Sequence, residues 1–474
     1  MTVHLPAYDR SKLTPGIVHI GLGNFHRAHM AVYLDDLFGM GLCHDWAILG
    51  AGVREGDARM REALRAQDCL STVIELDPKG KSARRVGAMI EFLPVQGDNA
   101  ALIAAMARPE IRIVSLTVTE GGYFINPATG QFDPSHPEIV ADAADPHRTA
   151  FGAIIAALKA RRAAGVAPFT VMSCDNLPGN GHVTKDAVTG LARIKDAALA
   201  DWIAANVAFP NGMVDRITPA TGPREREMAA SFGLGDDPVP VTCEPFRQWV
   251  LEDKFPAGRP AFEKVGVTLT PHVHSFETMK IRILNGGHAT IAYPGGLMDI
   301  EYVHEAMANP LIKGLLDKVE REEIIPYIPL VPDTDLGAYY RLIVERFSNP
   351  EVADTVRRLC LDGSNRQPKF IVPSLREAAA AGGSIRGLAL VSALWCRYCA
   401  GVSDSGAEIA PNDPNWGALT ALAGQARSRP EAWLGMADVY GDFGREPRFV
   451  QDFSAALQSL WDRGTRATLE DYLG

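Results

Sequence analysis

Hydrophobic periodicity changes character near residue 275, and that change constrains the fold more than any single motif. Before it, short runs rich in Val, Ile and Thr recur at 17–23, 47–53, 71–77, 111–119 and 169–176, with later strand candidates at 239–243 and 265–273. Helical patterns fall between several of them, at 28–37, 59–67, 100–107 and 149–164. Strands that alternate with helices imply βαβ units and a largely parallel sheet. The stretch 123–147 is rich in Pro and Asp and reads as a long surface loop. After about residue 280 only helical segments remain: 301–307, 312–323, 336–347, 351–361, 374–381, 385–400, 416–427, 430–440 and 449–463. The 3.6-residue period is plain in Leu336, Tyr340, Ile343, Val344 and Phe347. The expected fold class is α/β plus all-α: a domain over residues 1–275 and a mainly helical one over 276–474.

Composition excludes some functions. The chain of 474 residues carries a net charge of −10, which argues against a nucleic-acid binder needing a basic face. The start of the sequence has no apolar signal core. The most apolar run, 387–402, contains Arg397 and suits a buried helix better than a membrane span. The seven cysteines are odd in number and scattered, which suits free thiols in a cytoplasmic protein. Cys396 and Cys399 have CxxC spacing without a second pair, and read as buried thiols. No partner in membrane or nucleic acid is expected; a monomer or small homo-oligomer is.

The strongest local motif follows the first strand. Ile17-Val-His-Ile-Gly21-Leu-Gly23-Asn24-Phe25-His26 is an apolar run entering a glycine turn and then a helix. Such a turn lets a pyrophosphate approach backbone N–H groups at a helix N-terminus. Gly21, Gly23, Asn24 and Phe25 are therefore cofactor-site candidates. The usual third glycine is replaced by His26, a departure from the plain dinucleotide pattern. The second strand ends in Arg54-Glu55-Gly-Asp57. An acid there accepts hydrogen bonds from a ribose 2′-OH, so Glu55 or Asp57 favours NAD, while Arg54 leaves NADP open.

A second constellation sits at the expected domain boundary: Glu277-x2-Lys280-x4-Asn285-x2-His288. On a helix, five steps are about 500° and eight about 800°, so Lys280, Asn285 and His288 share an arc of about 140°. A lysine in a cleft loses its proton more readily and can act as a general base. A carboxamide can donate to the alkoxide that forms. Asn176, in the polar turn Ser173-Cys-Asp-Asn-Leu-Pro178, is a further amide donor at a strand end, where open α/β sheets bind ligands. His272 and His274 lack the carboxylate or thiolate that would complete a metal set, so no metal is expected.

Taken together, these stretches resemble the polyol-specific long-chain dehydrogenases, the mannitol 2-dehydrogenase and fructuronate reductase group. The matching motifs are GLGNFHRAH from Gly21, Thr119-Glu-Gly-Gly-Tyr123, SCDNLP from Ser173, and Asn211-Gly-Met-Val-Asp215-Arg-Ile-Thr-Pro219. Lys280-x4-Asn285-x2-His288 and Asp362-Gly-Ser-x-Arg366-x-Pro-Lys369 complete the set, in family order. In that family a histidine stands where His26 does. The resemblance implies a Rossmann-type domain, a helical C-terminal substrate domain and a zinc-independent, NAD-dependent oxidation of a polyol to a 2-ketose, mannitol to fructose by preference. It also implies Lys280 as general base, Asn176 and Asn285 as the alkoxide-holding pair, Glu277 as a proton-relay carboxylate, and Asp215 on the nicotinamide-ribose side. His288 and Arg358 would contact substrate. Arg366 stands where the family's mannitol enzymes carry Lys. An Arg fork binds carboxylate, which keeps a fructuronate or tagaturonate reductase as the alternative, alongside other polyols such as arabinitol or sorbitol.

Overall fold

The computed structural model describes every residue except Met1, Pro127, Ala128, Pro146, Gly235 and Asp236, and all of Thr2 but its side chain. The chain divides into two compact units, Met1–His274 and Ser275–Gly474.

The first unit is built on a parallel sheet of five strands: β1 (Pro15–Ile20), β2 (Ala47–Ala51), β3 (Met89–Phe92), β4 (Ile113–Leu116) and β5 (Thr170–Ser173). Their order is β3-β2-β1-β4-β5, the Rossmann arrangement, in which the chain reverses direction across the sheet beside β1. In β1, Ile17 pairs with Ile48 and Ile113, and Val18 with Leu49 and Val114. Successive side chains point to opposite faces, and both faces are covered. Ile17, Ile48 and Ile113 pack towards helix Met30–Gly39. Val18, Leu49 and Val114 pack with helices Ala100–Ala107, Ala150–Ala163 and Asn180–Lys195. Two-sided burial is why these strands read as continuous apolar runs rather than alternating ones.

Two smaller sheets flank it. One has the order Thr2–His4, Ser82–Val86, Ser71–Glu75, Val241–Cys243; the other joins Thr268–Leu269, Gln248–Leu251 and Gly212–Asp215. The strand expected over 265–273 shrinks to Thr268–Leu269, because Pro271 cannot donate to a ladder and a helix opens at Val273. The stretch 123–147 is not all loop. Helix Pro137–Ala144 lies inside it, with Pro137 at its first position, the His136 ring accepting from Glu138 N at 3.3 Å, and Ile139 and Asp142 buried. Pro127, Ala128 and Pro146 of that stretch lie outside the described residues.

The second unit is helical. A continuous helix covers 273–297, and its middle turn, Lys280–Asn285, is a π-helix. The apolar run noted above is helix Arg386–Tyr398, buried from Gly387 onward and packed against Pro447–Leu473. That last helix reaches beyond the expected 449–463 but breaks at Gly464 (φ 80°), where Thr465 N donates to Asp404 at 2.7 Å. The helix expected over 351–361 is only Val356–Leu359, capped by the Thr355 hydroxyl. The 430–440 pattern splits at Gly435 into Glu431–Leu434 and Ala437–Tyr440. Among the described residues no helix is long and apolar enough to cross a membrane.

Candidate functional site

β1 delivers the chain into the glycine turn. Gly21 sits at φ +99°, and a Cβ there would lie 2.1 Å from the Thr117 carbonyl oxygen, so the position admits no side chain. Gly23 is extended, and nothing stands within 4 Å of where its Cβ would be. The short helix Asn24–Ala28 follows. His26 answers the missing glycine: its ring stacks on His19 of β1 with centroids 3.4 Å apart. A flat imidazole thus keeps the helix close to the strand. His19 also reaches Ser115 Oγ at 2.8 Å and Thr117 Oγ1 at 2.9 Å. Burial pulls its pKa down to about 3 and drives that of His26 well below the usual value, with His19 as its neighbour, so both rings are neutral.

A cleft of about 370 Å³ opens over the carboxyl ends of these strands. Gly21, Leu22 and Gly23 form one wall, Val53, Arg54 and Asp57 another, and Thr117, Val118 and Thr119 a third. This is the place where a doubly wound sheet binds a dinucleotide. The structure separates the two acids. Asp57 lines the cleft and is held by Arg54 N at 2.9 Å, whereas Glu55 is exposed and outside the lining. Asn24 and Phe25 are also outside it. The Asn24 carboxamide donates to Pro219 O at 2.9 Å and Thr221 Oγ1 at 3.0 Å, and the Phe25 ring stacks on His29 at 4.7 Å. Their side chains fasten the turn to its surroundings. Glu138, from the 123–147 stretch, and Arg148, just after it, also line the cleft, and nothing in the sequence marked either.

The ends of β4 and β5 are joined by Asp175. Its carboxylate accepts from Val118 N and Thr119 N, each at 3.0 Å, and from the Tyr123 hydroxyl at 2.6 Å. Asn180 donates to Gly212 O at 2.8 Å and accepts from Gly212 N at 2.9 Å, tying β5 to strand Gly212–Asp215. These bonds fix the turn that presents Asn176, whose side chain is exposed. Asp215 is 6% exposed at the end of its strand, next to the buried Arg216, which bonds Ala28 O, Glu244 O and Glu75.

In the helical unit, Lys280 opens the π-turn and Asn285 closes it. In a π-turn the backbone repeats at i→i+5, so residues five apart stack one above the other. The wider turn therefore aligns Lys280 and Asn285 more closely than an α-helix would. Single π-turns inside α-helices recur at functional sites. Lys280 and Glu277, three residues before it, are 6% and 5% exposed. Arg282 points away, to Ser374 Oγ at 3.1 Å and Glu377 at 2.8 Å. The His288 ring stacks on Phe347 at 4.2 Å, and its Nε2 is buried without a partner among the described residues. Burial, then Arg358, Arg346 and Arg366, hold its pKa well below the usual value. Both expected arginines have oxygens of their own already. Arg358 forms a two-pronged pair with Asp354, and Arg366 donates to Leu359 O at 3.0 Å.

Comparison with known proteins bears on these two sites. A model described as the mannitol dehydrogenase Rossmann domain matches residues 15–264, and one described as the mannitol dehydrogenase C-terminal domain matches residues 272–461. The chain belongs to the mannitol dehydrogenase family. It is 69% identical to a mannitol 2-dehydrogenase of Cereibacter sphaeroides over 100% of this chain and 99% of that one. A solved ternary complex of Pseudomonas fluorescens mannitol 2-dehydrogenase with NAD and D-mannitol matches with a TM-score of 0.88 and 43% identity, covering 99% of this chain and 96% of that one. A substrate-free D-sorbitol dehydrogenase structure matches at 0.90 and 34%, covering 99% and 97%.

For this member of the mannitol dehydrogenase family, the residues overlooked in the sequence differ in how visible they were. Asp175 lay beside Asn176 in a motif already singled out. Phe347 lay in the clearest helical stripe, with Arg346 next to it. Nothing local marks either as facing a histidine nearly sixty residues earlier. Among the described residues no group of three or more His, Cys, Asp or Glu side chains converges as a metal site, and all seven cysteines are free.

Proposed function

We propose that this protein is an NAD-dependent polyol dehydrogenase that oxidises mannitol to fructose. The observation that carries the reading is the π-turn that stacks Lys280 and Asn285 on a helix also bearing a neutral, buried-edge His288. Lys280 takes the C2 hydroxyl proton, and Glu277 passes it on towards solvent. Asn285 donates to the oxygen as it gains charge, and Asn176 is assigned the same task. His288, Arg358 and Arg366 are assigned contacts to the remaining hydroxyls.

The glycine-turn cleft fits the cofactor. Gly23 leaves open space where a Cβ would stand, and Asp57 offers its carboxylate at the end of β2. Gly21, Gly23, Asp57 and Asp215 would hold NAD, which when bound supplies the hydride acceptor. A carboxylate at the ribose repels a 2′-phosphate, which supports NAD over NADP. The relatives that are mannitol 2-dehydrogenases support the choice of polyol. The commitment of the Arg358 fork to Asp354 speaks against a sugar acid. The free thiols support a cytoplasmic setting.

A panel of polyols and sugar acids, each assayed with NAD and NADP at the reduced-nicotinamide absorbance, tests the reading. Mannitol with NAD should give the highest kcat/KM. A uronate that outcompetes fructose in the reverse direction would overturn the substrate. Lys280→Ala should lower kcat by about 10²–10⁴-fold, and a loss of only a few-fold at all pH values would remove Lys280 from its role.

A further inference from the structure

A second π-turn packs against the first. Glu320–Ile324 continues helix Pro310–Val319, and it meets the 273–297 helix at Gly286 and Gly287. A Cβ on Gly287 would lie 3.3 Å from Glu320 Oε1, 3.3 Å from the Phe347 ring and 3.4 Å from Leu316 Cδ1. Glu320 is therefore wedged in a slot made by Gly287, Leu316 and Phe347. It is 0% exposed, and neither carboxyl oxygen has a hydrogen-bond partner among the described residues. A fully buried carboxylate without a hydrogen-bond partner is strongly disfavoured, and the group keeps its proton instead.

Among the described residues no neighbour supplies a compensating charge. From helix Leu336–Phe347, Tyr340 faces the slot, but its hydroxyl is committed to Asp317 at 2.6 Å, and Arg321 lies over its ring. Arg346, on the same helix, bears on His288. On the 273–297 helix, Arg282 is committed to Glu377 and Ser374. From helix Val372–Ala380, Arg376 is held by the Tyr440 carbonyl. Glu323, on the same π-turn, accepts from Gly387 N and Leu388 N. Burial alone drives the Glu320 carboxyl well above its ordinary range.

The slot is the back of the substrate-side face. Gly287 directly precedes His288, and Phe347, which walls the slot, stacks on the His288 ring. We propose that Glu320 is a positioning residue of the polyol site that serves only as an uncharged acid, so that loss of its proton closes the alkaline side of polyol oxidation. A charged Glu320 would be driven to leave the apolar slot, and Gly287 and Phe347 would move with it. Its field would also favour the protonated form of Lys280, which cannot act as a base. The proposal rests on the polyol-dehydrogenase reading.

The test is the pH profile of kcat for mannitol oxidation with NAD, from neutral to strongly alkaline pH, for wild type, Glu320→Gln and Glu320→Met. Wild type should rise and then fall. Both variants lack a titrating proton, and their falling limb should vanish or move up by more than about one pH unit. Superimposable profiles, or no fall in wild type, would overturn the proposal. Infrared spectra of the holoenzyme in D₂O give a readout independent of turnover, and the wild-type spectrum alone can overturn the proposal. A protonated-carboxyl band that persists above neutral pD and is missing in a folded variant supports it; a wild-type spectrum without that band overturns it. Wild type that binds NAD but oxidises no polyol would sink the functional reading, with the infrared band still reporting the state of Glu320.

Discussion

Two glycine pairs stand beside histidines in this molecule, and they solve different problems. Gly21 and Gly23 shape a backbone turn. One takes a conformation that L residues avoid and has a carbonyl 2.1 Å from the missing Cβ, and the other leaves empty space. Gly286 and Gly287 lie in regular helix, with Gly286 at φ −61°. Side chains of Glu320, Phe347 and Leu316 stand 3.3–3.4 Å from where a Cβ on Gly287 would be, whereas the nearest neighbour of Gly286 is the Phe370 carbonyl oxygen at 3.5 Å. The first pair answers to local geometry, and the second to packing. The contrast extends to protons. The glycine-turn unit buries neutral imidazoles, and the helical unit buries a neutral carboxyl beside its own neutral imidazole.

Substitution of the first pair should produce the largest effect. Gly21→Ala combines a forbidden φ with a backbone collision, so a loss on the order of 4 kcal/mol or no soluble protein is expected. A variant with wild-type Tm would show that the turn is not held as described. Acid should come next. His19, His26 and His29 protonate near 6.5 when unfolded, but burial holds His19 and His29 down to about 3 in the fold. Below about 6.5 the unfolded chain binds more protons, so stability present above that pH is lost as pH falls towards about 3. Denaturant unfolding at stepped pH measures this. His26→Phe keeps a ring over His19 and should blunt the loss, and an unchanged slope would exclude His26 as a contributor. Glu320 has the opposite sign: its raised pKa gives stability that is present below about 4.5 and lost as pH rises through its folded value.

Gly23→Ala should leave Tm unchanged and weaken NAD binding by about tenfold, or about 1.4 kcal/mol, because the new methyl enters space meant for a ligand. Calorimetric titration with NAD reads this directly, and unaltered affinity would place the pyrophosphate elsewhere. The two members of the second pair should respond unequally. Gly287→Ala must push Glu320 or Phe347 by a few tenths of an ångström, at about 1–3 kcal/mol and with a raised KM for mannitol. Gly286→Ala meets only ordinary contact and gains helix propensity, so a shift within about 1 kcal/mol of wild type is expected. Equal effects at the two positions would break the claim that packing on Gly287 is special.

Much of the site was legible because its signals are local. The glycine turn, the acid after β2 and the Lys280-Asn285-His288 spacing each lie within about a dozen residues. The helical turn at Lys280 was expected to be α. That it is a π-turn follows from no pattern in its own residues, since bulges of this kind respond to what packs around them. That Asp57 and not Glu55 lines the cleft hung on which way one turn faces. Likewise the roles of Asn24 and Phe25 were set by the loop at Pro219 and by the ring of His29.

From the sequence alone, the alternation of strand and helix, its end near residue 275, the glycine turn and the family's motifs were determined. Each depends on residues close enough in the chain to show their period or spacing. Tertiary structure alone decided the His19–His26 stack, the pairing of Arg358 with Asp354, and the apolar slot around Glu320. Those depend on side chains brought together from separate segments, and burial is a property of the packed neighbourhood rather than of any residue in it.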